Sequence, residues 1–535
     1  MKRRILILGA GLMQRPAIVF AKEMGLETVV VDGDPHAACV GLADRFENID
    51  LKDKLALENF ARSLKNNGGL SAVLTAGTDF SASVAWVAEK LGLPGIPHET
   101  ALDASDKERM RCRFKEAGVP SPDFFIIHRS SLLEDAPLQL PFPFPVVVKP
   151  VDNMGARGCR RADSEEELRE ALKDALNFSR SGRAIVEEFM EGPEFSVDAI
   201  VYKGEITICG LADRHIYFPP YFIEMGHTMP TDLPREESES LLAVFKAGVQ
   251  ALGITNGAAK GDIKLTPRGP MIGEIAARLS GGYMSGWTYP YASGVEPTKA
   301  AISVALGEEP QNLKTLRNWT SAERAFISIP GEVAEIYGIE EARAIPGVKD
   351  LFLRIAKGSR VQFPENNVSK CGNIISALPD RNEAIQAAEY AGRRVWIRLT
   401  APHPETDTFL YGSPQEEEVP FPPSAYRLTA LLKEDLRHIP ELEPRRDRIR
   451  SGDIGLFPFP EFLDSALIDY HGRSPRESLE VVRTISGLSL PVTKDPSLPL
   501  TILGRRFWQA FIRGSYQGAL YYIDELIGQA VQRNR

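Results

Sequence analysis

Cysteine is scarce in this chain: Cys39, Cys112, Cys159, Cys209 and Cys371 are the five among 535 residues. They lie far apart, form no CxxC pair and are odd in number, which argues against a disulfide framework or a zinc knuckle and for a reducing cytosol. Long apolar runs are also missing. No stretch reaches the roughly 18 uninterrupted apolar residues of a membrane-spanning helix. Met1-Lys2-Arg3-Arg4 before Ile5–Leu8 imitates a signal peptide, but Gly9 and Gly11 interrupt the apolar run and Gln14 and Arg15 end it, so a first strand is expected there. An excess of positive charge is lacking too: the net charge is −9, and basic clusters such as Arg445, Arg446, Arg448 and Arg450 are short and mixed with carboxylates. Nucleic acid is therefore not an expected partner. What is present, 43% hydrophobic and 25% charged residues, is the composition of ordinary folded domains, in a length that suits three or four of them.

The first hundred residues alternate short apolar runs (Ile5–Leu8, Thr28–Val31, Ala72–Leu74) with amphipathic ones (Pro16–Met24, Leu55–Leu64, Ser81–Leu91). That is the βαβ rhythm of a parallel sheet. Gly9-Ala10-Gly11 after the first strand and Asp32 at the end of the second invite a nicotinamide dinucleotide reading, but the third glycine of G-x-G-x-x-G is replaced by Gln14. The alternative is a Rossmann-like domain that holds a small substrate at its strand ends, with Thr78 and Asp79 facing that crevice. After Asp103 the pattern mixes strands and helices. The Pro-rich stretch Ala401–Ser424, with Glu416–Glu418, reads as a linker or surface arm, and helical spacing over Glu477–Ile485 and Phe507–Ile527 predicts a small, mainly helical unit.

Lys149 ends the apolar run Val146–Val148, a fixed cation just beyond a buried strand, and Asn153-Met154-Gly155-Ala156-Arg157-Gly158 follows as a loop able to present backbone donors to phosphates. Ile185–Asp198 reads as strand, Gly192-Pro193 turn and strand, a connector that can offer adenine an apolar wall and main-chain hydrogen bonds. Asp262 and Glu274 lie on two runs joined by Thr266-Pro267-Arg268-Gly269-Pro270, where alternation lets both carboxylates project to one side, as hard divalent ions require. Arg278, four residues on, adds a fork of donors suited to a carboxylate or phosphate.

This order of strand lysine, glycine loop, Glu-Glu-Phe-Met connector and Asp-hairpin-Glu-x-x-x-Arg resembles the ATP-grasp superfamily of ligases, from Arg3 to about Ile397, with Ser105-Asp106-Lys107 and Cys371–Ile375 included. The resemblance implies an α/β and α+β multidomain chain: a Rossmann-like domain over 1–102, the ATP-grasp domain over 103–318, a C-terminal ATP-grasp sub-domain over 319–400, and a linker with a mainly helical extension over 401–535. It implies ATP and Mg2+ (or Mn2+) as cofactors. Lys107 and Lys149 would contact phosphates, Glu187, Glu188, Phe189 and Met190 would surround adenine, Glu194 would take the ribose, and Asp262 and Glu274 would hold metal. The family commonly places an Asn two residues after the second acid; this chain has Ala276.

The activity implied is an ADP-forming carboxylate–amine ligase, with amino-acid ligation as one form of it. Lys149 and Arg278 are its catalytic candidates, and Arg214, His215 and His227 are substrate-facing residues, the two histidines also being candidate bases. Rival readings are a bicarbonate-activating carboxylase or carbamoyl-phosphate-type enzyme, a non-catalytic ATP sensor, and a Rossmann oxidoreductase. Small carboxylates and amines are the expected partners in the cytoplasm, without nucleic acid or membrane. A homodimer contact is expected through Phe507, Trp508, Phe511, Tyr516, Tyr521 and Tyr522.

Overall fold

The computed structural model describes residues 3–130, 139–412, 421–495 and 497–532. The chain divides into two compact units: Met1–Glu323 with Ile375–Ile385, and Arg324–Ile374 with Gln386–Arg535.

In the first unit, strands Arg4–Leu8, Glu27–Asp32, Arg45–Asn48 and Ala72–Leu74 form a parallel sheet in the order third, second, first, fourth. Its residues alternate between two cores, as period-2 side chains must. Leu6, Leu8, Val29 and Val31 pack with Leu57, Leu64 and Val87, while Ile5, Ile7 and Val30 pack with Ala17, Ile18 and Val304. The glycine turn after the first strand is filled from within: Gln14 donates to the Ala76 carbonyl at 2.5 Å, and a Cβ on Gly9 would lie 2.9 Å from the Gln14 side chain. Asp32 accepts from the Ala10 amide at 2.7 Å. Gln14 thus fills the turn, and Asp32 is tied to the turn's own backbone, which removes the geometric basis of the dinucleotide reading.

Two further sheets follow. Phe124–His128, Arg183–Glu188, Val146–Pro150 and Arg160–Ala162 pair in that order under helix Glu165–Phe178, whose Leu168, Ala171, Leu172, Ala175 and Leu176 form one buried stripe. Ser164 caps this helix by accepting from the Glu167 amide. Strands Gly269–Ala276, Gly257–Thr266, Glu194–Tyr202, Glu205–Tyr217 and Ile223–Met229 are antiparallel in that order. Helices Lys107–Ala117 and Arg235–Ala251 contribute Met110, Phe114, Leu241, Phe245 and Val249 to the core behind it.

The second unit has strands Gly331–Tyr337, Arg360–Val361 and Trp396–Leu399 in one sheet and a long helix, Arg505–Gln532, broken at Ser515 (φ 52°, ψ −146°). The aromatics expected at a dimer contact are this unit's own core: Phe507, Trp508 and Phe511 are fully buried, and Tyr516, Tyr521 and Tyr522 are at most 5% exposed. They offer no outer face to a second copy. Part of the expected arm is also helical, since Pro404–Tyr411 buries Phe409 and Leu410 with Pro404 in the first turn. Pro414, Glu416–Glu418 and Pro420 lie outside the described residues. None of the described helices is long and apolar enough to cross a membrane.

Candidate functional site

Directly paired residues of antiparallel strands share a face, so cross-strand register maps the site. On the strand Gly257–Thr266, Lys260, Asp262 and Lys264 stand opposite Asp198, Ser196 and Glu194 on one side. On the other side Lys260 stands opposite Ala276, and Asp262 opposite Glu274. Arg214 pairs with Glu194 from the next strand. One face thus gathers residues separated by some eighty positions of chain.

Arg214 is the hub of this face. It ion-pairs with Glu194, with Glu224 at 2.8 Å and with Asp262 at 3.2 Å, and three carboxylates hold its charge well above the ordinary arginine value despite burial. Asp262 also ion-pairs with Lys260 and accepts from the Ser196 hydroxyl at 2.8 Å. Burial raises its pKa, but the Arg214 and Lys260 charges outweigh that and bring it to about 2. Glu274 is engaged more loosely, by Lys107 at 3.5 Å. Burial again opposes its ionisation and the Lys107 charge prevails, so its pKa is lowered.

A second charged cluster forms on the Lys149 strand, in the neighbouring sheet. Glu187 is 1% exposed and sits between Arg111 at 2.8 Å and Lys149 at 2.6 Å. Desolvation disfavours every charge here, yet mutual attraction wins: Glu187 is lowered by Arg111 and Lys149, and Lys149 is raised by Glu187. Lys107, at the start of a helix capped by Asp106, donates to the Asn153 carbonyl at 2.8 Å, which ties the helix to the loop after Lys149. Gly155, Ala156 and Gly158 of that loop have positive φ, and a Cβ on Gly158 would lie 2.9 Å from Phe178.

The connector is bracketed by cations. Arg161 lies 4.7 Å and Lys264 5.0 Å from the Phe189 ring, and Lys264 donates to the Met190 carbonyl at 3.1 Å. Burial, with Lys149, Arg214 and Arg161 nearby, outweighs Glu194 and lowers the Lys264 pKa, the mark of a crowded positive field. Glu188 points elsewhere, to Arg268 at 2.6 Å and the Asp123 amide at 3.2 Å.

Beyond Glu274, Arg278 donates to the Leu279 carbonyl at 2.9 Å and to the Met154 sulfur at 3.9 Å. Both acceptors are neutral, and among the described residues it makes no ion pair. The turn carrying Thr78 and Asp79 packs here: the Gly77 amide donates to the Leu279 carbonyl at 3.2 Å, and a Cβ on Gly77 would lie 3.1 Å from Gly281. Thr78 bonds Thr75 at 2.6 Å, and Asp79 pairs with Arg180 at 3.2 Å while burial raises its pKa. Gly282 closes on the next group, since a Cβ there would meet Glu224 at 2.9 Å and His227 at 3.4 Å.

His227 is fully buried, 3.0 Å from Glu323 and 3.5 Å from Glu224. Burial lowers its pKa, but the two carboxylates outweigh this and raise it to about 9. The two carboxylates thus favour the imidazolium form of His227. Because its pKa rises above the unfolded value of about 6.5, its stabilisation is complete below that pH and lost as pH climbs through about 9. The urea midpoint of the native protein is expected to fall over this window and that of His227→Gln to fall less; equal slopes would contradict the pairing. His215 is separate, bonded to Thr228 at 3.0 Å on the strand position after Arg214. Alternation turns consecutive residues to opposite faces, which sets His215 on the face away from Arg214.

A divalent ion needs oxygen ligands with room for water and phosphate. Asp262 has its oxygens taken by a hydroxyl and two cations, Ala276 offers only a methyl group, and among the described residues no three His, Cys, Asp or Glu form a metal-holding group. The residues fit one ion carried in by a ligand at Glu274, not a cage supplied by protein alone. Sequence reading missed Arg111, Lys260, Lys264 and Glu224. The alternation Lys260-x-Asp262-x-Lys264 was the available signal for two of them.

Comparison with known proteins matches two stretches of the chain. Residues 142–286 match the ATP-grasp domain, and residues 325–400 match the L-amino acid ligase C-terminal domain 2. Carnosine synthase 1 of Gallus gallus is 27% identical over 329 residues, 57% of this chain and 35% of its own length, so the chain spans about a third of that relative. The L-arginine-specific L-amino acid ligase of Bacillus subtilis is 24% identical over 330 residues, 58% of this chain and 76% of its own. The crystal structure of an L-amino acid ligase from Bacillus licheniformis shares the fold, with a TM-score of 0.65 at 21% identity over 75% of this chain and 99% of that one.

Proposed function

For a chain that belongs to the ATP-grasp ligases, we propose the activation of a small carboxylate, an amino acid being the favoured class, and its joining to an amine with release of ADP and phosphate. A carboxylate oxygen attacks the γ-phosphorus of ATP and ADP leaves. The amine then attacks the acyl carbon, phosphate departs with the former carboxylate oxygen, and the amine loses its proton.

The observation that carries this reading is the convergence of Lys107, Lys149, Arg161, Lys264 and Arg278 around the connector and the Glu274 strand. Fixed cations of this density stabilise a migrating phosphoryl group without reorganising during the step. Magnesium held at Glu274 would supply Lewis-acid charge to the phosphate oxygens. Lys107 and Lys149 orient the phosphates, Phe189 and Met190 wall the adenine, and Glu187 holds Lys149 in place from its buried side. Glu194 is the ribose acceptor, its carboxylate standing between Arg214 and Lys264. The loop over Asn153–Gly158 excludes water, because hydrolysis of the acyl phosphate wastes ATP. Arg278 receives the substrate carboxylate or the departing phosphate, with Thr78, Asp79 and His227 lining the approach. The names of the Gallus gallus and Bacillus subtilis relatives, a carnosine synthase and an amino-acid ligase, favour an amino acid on at least one side of the bond. Cys39, Cys112, Cys159, Cys209 and Cys371 are all free thiols, which suits a cytoplasmic setting.

A second reading, an ATP-binding sensor, draws on Ala276 in place of a ligand. Phosphate release from ATP and magnesium across a panel of carboxylates, each with and without amino acids, separates the two. Ligation requires release that depends on one acid plus one amine and drops by at least about 100-fold in Glu274→Ala. Tight ATP binding without release under any mixture supports the sensor instead.

A further inference from the structure

We propose that Lys260 supplies the positive charge that a second divalent cation would otherwise bring to this site, so that the chain takes up one metal ion per bound nucleotide. This rests on the ATP-dependent reading above. Lys260 occupies the face shared by Asp262, Glu274 and Ala276, directly opposite Ala276 on one side and Asp198 on the other. Its ammonium is ion-paired with the Asp262 carboxylate, and its side chain is only 12% exposed. Ala276, itself buried, offers only a methyl group opposite Lys260.

The oxygens of Asp262 are correspondingly committed. One accepts from Ser196, and the other faces both Lys260 and Arg214. A divalent ion approaching it would have to displace a cation, and Arg214 is itself fastened by Glu194 and Glu224. A second ion would thus enter a position already flanked by an ammonium and a guanidinium, with no side-chain oxygen at Ala276 to complete its shell. Glu274 differs, because its partner Lys107 stands 3.5 Å away and leaves room at its oxygens for an ion that arrives with phosphates. One strand position therefore carries a fixed charge in place of an exchangeable one, and Lys260 and Ala276 face each other across one rung of the sheet.

The test counts manganese on the full chain with a non-hydrolysable ATP analogue, reading bound Mn2+ by electron paramagnetic resonance and bound nucleotide by absorbance. One Mn2+ per nucleotide in the native protein is expected, even with Mn2+ in excess. The double substitution Lys260→Met with Ala276→Asn is expected to bind two. Two ions in the native protein overturn the inference while leaving the ligase reading intact, and so does a folded double variant that binds nucleotide but gains no ion. Failure of the native protein to bind the analogue at all overturns both readings. The native count decides the matter even if the double variant does not fold.

Discussion

Arg278→Ala is expected to lower kcat/KM for ATP-driven ligation by about 10³-fold, with most of the loss in kcat. The reason is an imbalance visible in the site. Lys149, Lys107, Arg214 and Lys260 each have a carboxylate beside them, whereas Arg278 spends its donors on a carbonyl and a thioether sulfur. Its charge is available to an incoming anion, and its planar fork fixes two oxygens at once. Arg278→Lys keeps the charge but not the fork, and is expected to recover less than a tenth of the loss. The adjoining turns support the assignment, because Gly77, Gly281 and Gly282 bring Thr78, Asp79, Glu224 and His227 to the same end of the strand. Steady-state kinetics with ATP saturating checks it. A loss below tenfold would move Arg278 away from the reacting atoms.

Arg111→Ala is expected to cost about 3–5 kcal/mol of stability, because it strands Glu187 in a site that is closed to water. Arg111 and Glu187 are 0% and 1% exposed, and Lys149 alone remains to balance the carboxylate. Urea unfolding of the native and substituted chains measures the difference. Pairing Arg111→Met with Glu187→Gln removes both buried charges while keeping an amide acceptor for Lys149, and should cost less than Arg111→Ala alone. If it costs as much, the loss arises from packing of the arginine stem and not from the stranded charge. Glu187 also holds the Lys149 pKa up against burial and against the Arg111 charge.

Much of this arrangement was legible in the chain before any coordinates. Val146–Val148 announces a buried strand and leaves Lys149 at its end; Asp262 and Glu274, twelve residues apart around a Pro-Arg-Gly-Pro turn, do stand directly opposite each other. Local pattern suffices for the strands and the turn, but turn length alone would set Gly273 opposite Asp262; a bulge between Asp262 and Ile263, which the sequence does not mark, brings Glu274 there instead. Arg111 was not legible, since a helix reading Lys-Glu-Arg-Met-Arg-Cys-Arg shows several charges and no local mark of the one that is buried. The resemblance marks Arg214 as substrate-facing, but its place as a hub was not legible, because its three carboxylates come from three other strands whose register depends on loops the alternation does not encode. The aromatic run of the last helix misled in a different way. Helical spacing shows that one face is apolar but not what covers it, and here Tyr426, Phe459 and Phe462 of the same unit do. Gln14 carried the clearest negative signal: a long side chain where a glycine is needed, and it fills the turn itself.

The central claim is transfer of phosphate to a carboxylate, and its most direct test follows the oxygen. The acid that supports release in the substrate panel is supplied with its carboxylate labelled with oxygen-18, together with ATP, magnesium and the amine. An acyl phosphate route leaves one labelled oxygen in each phosphate released and one in the amide product. Phosphate released without label, in step with product, would contradict the account, since the carboxylate would then never have taken up the γ-phosphoryl group.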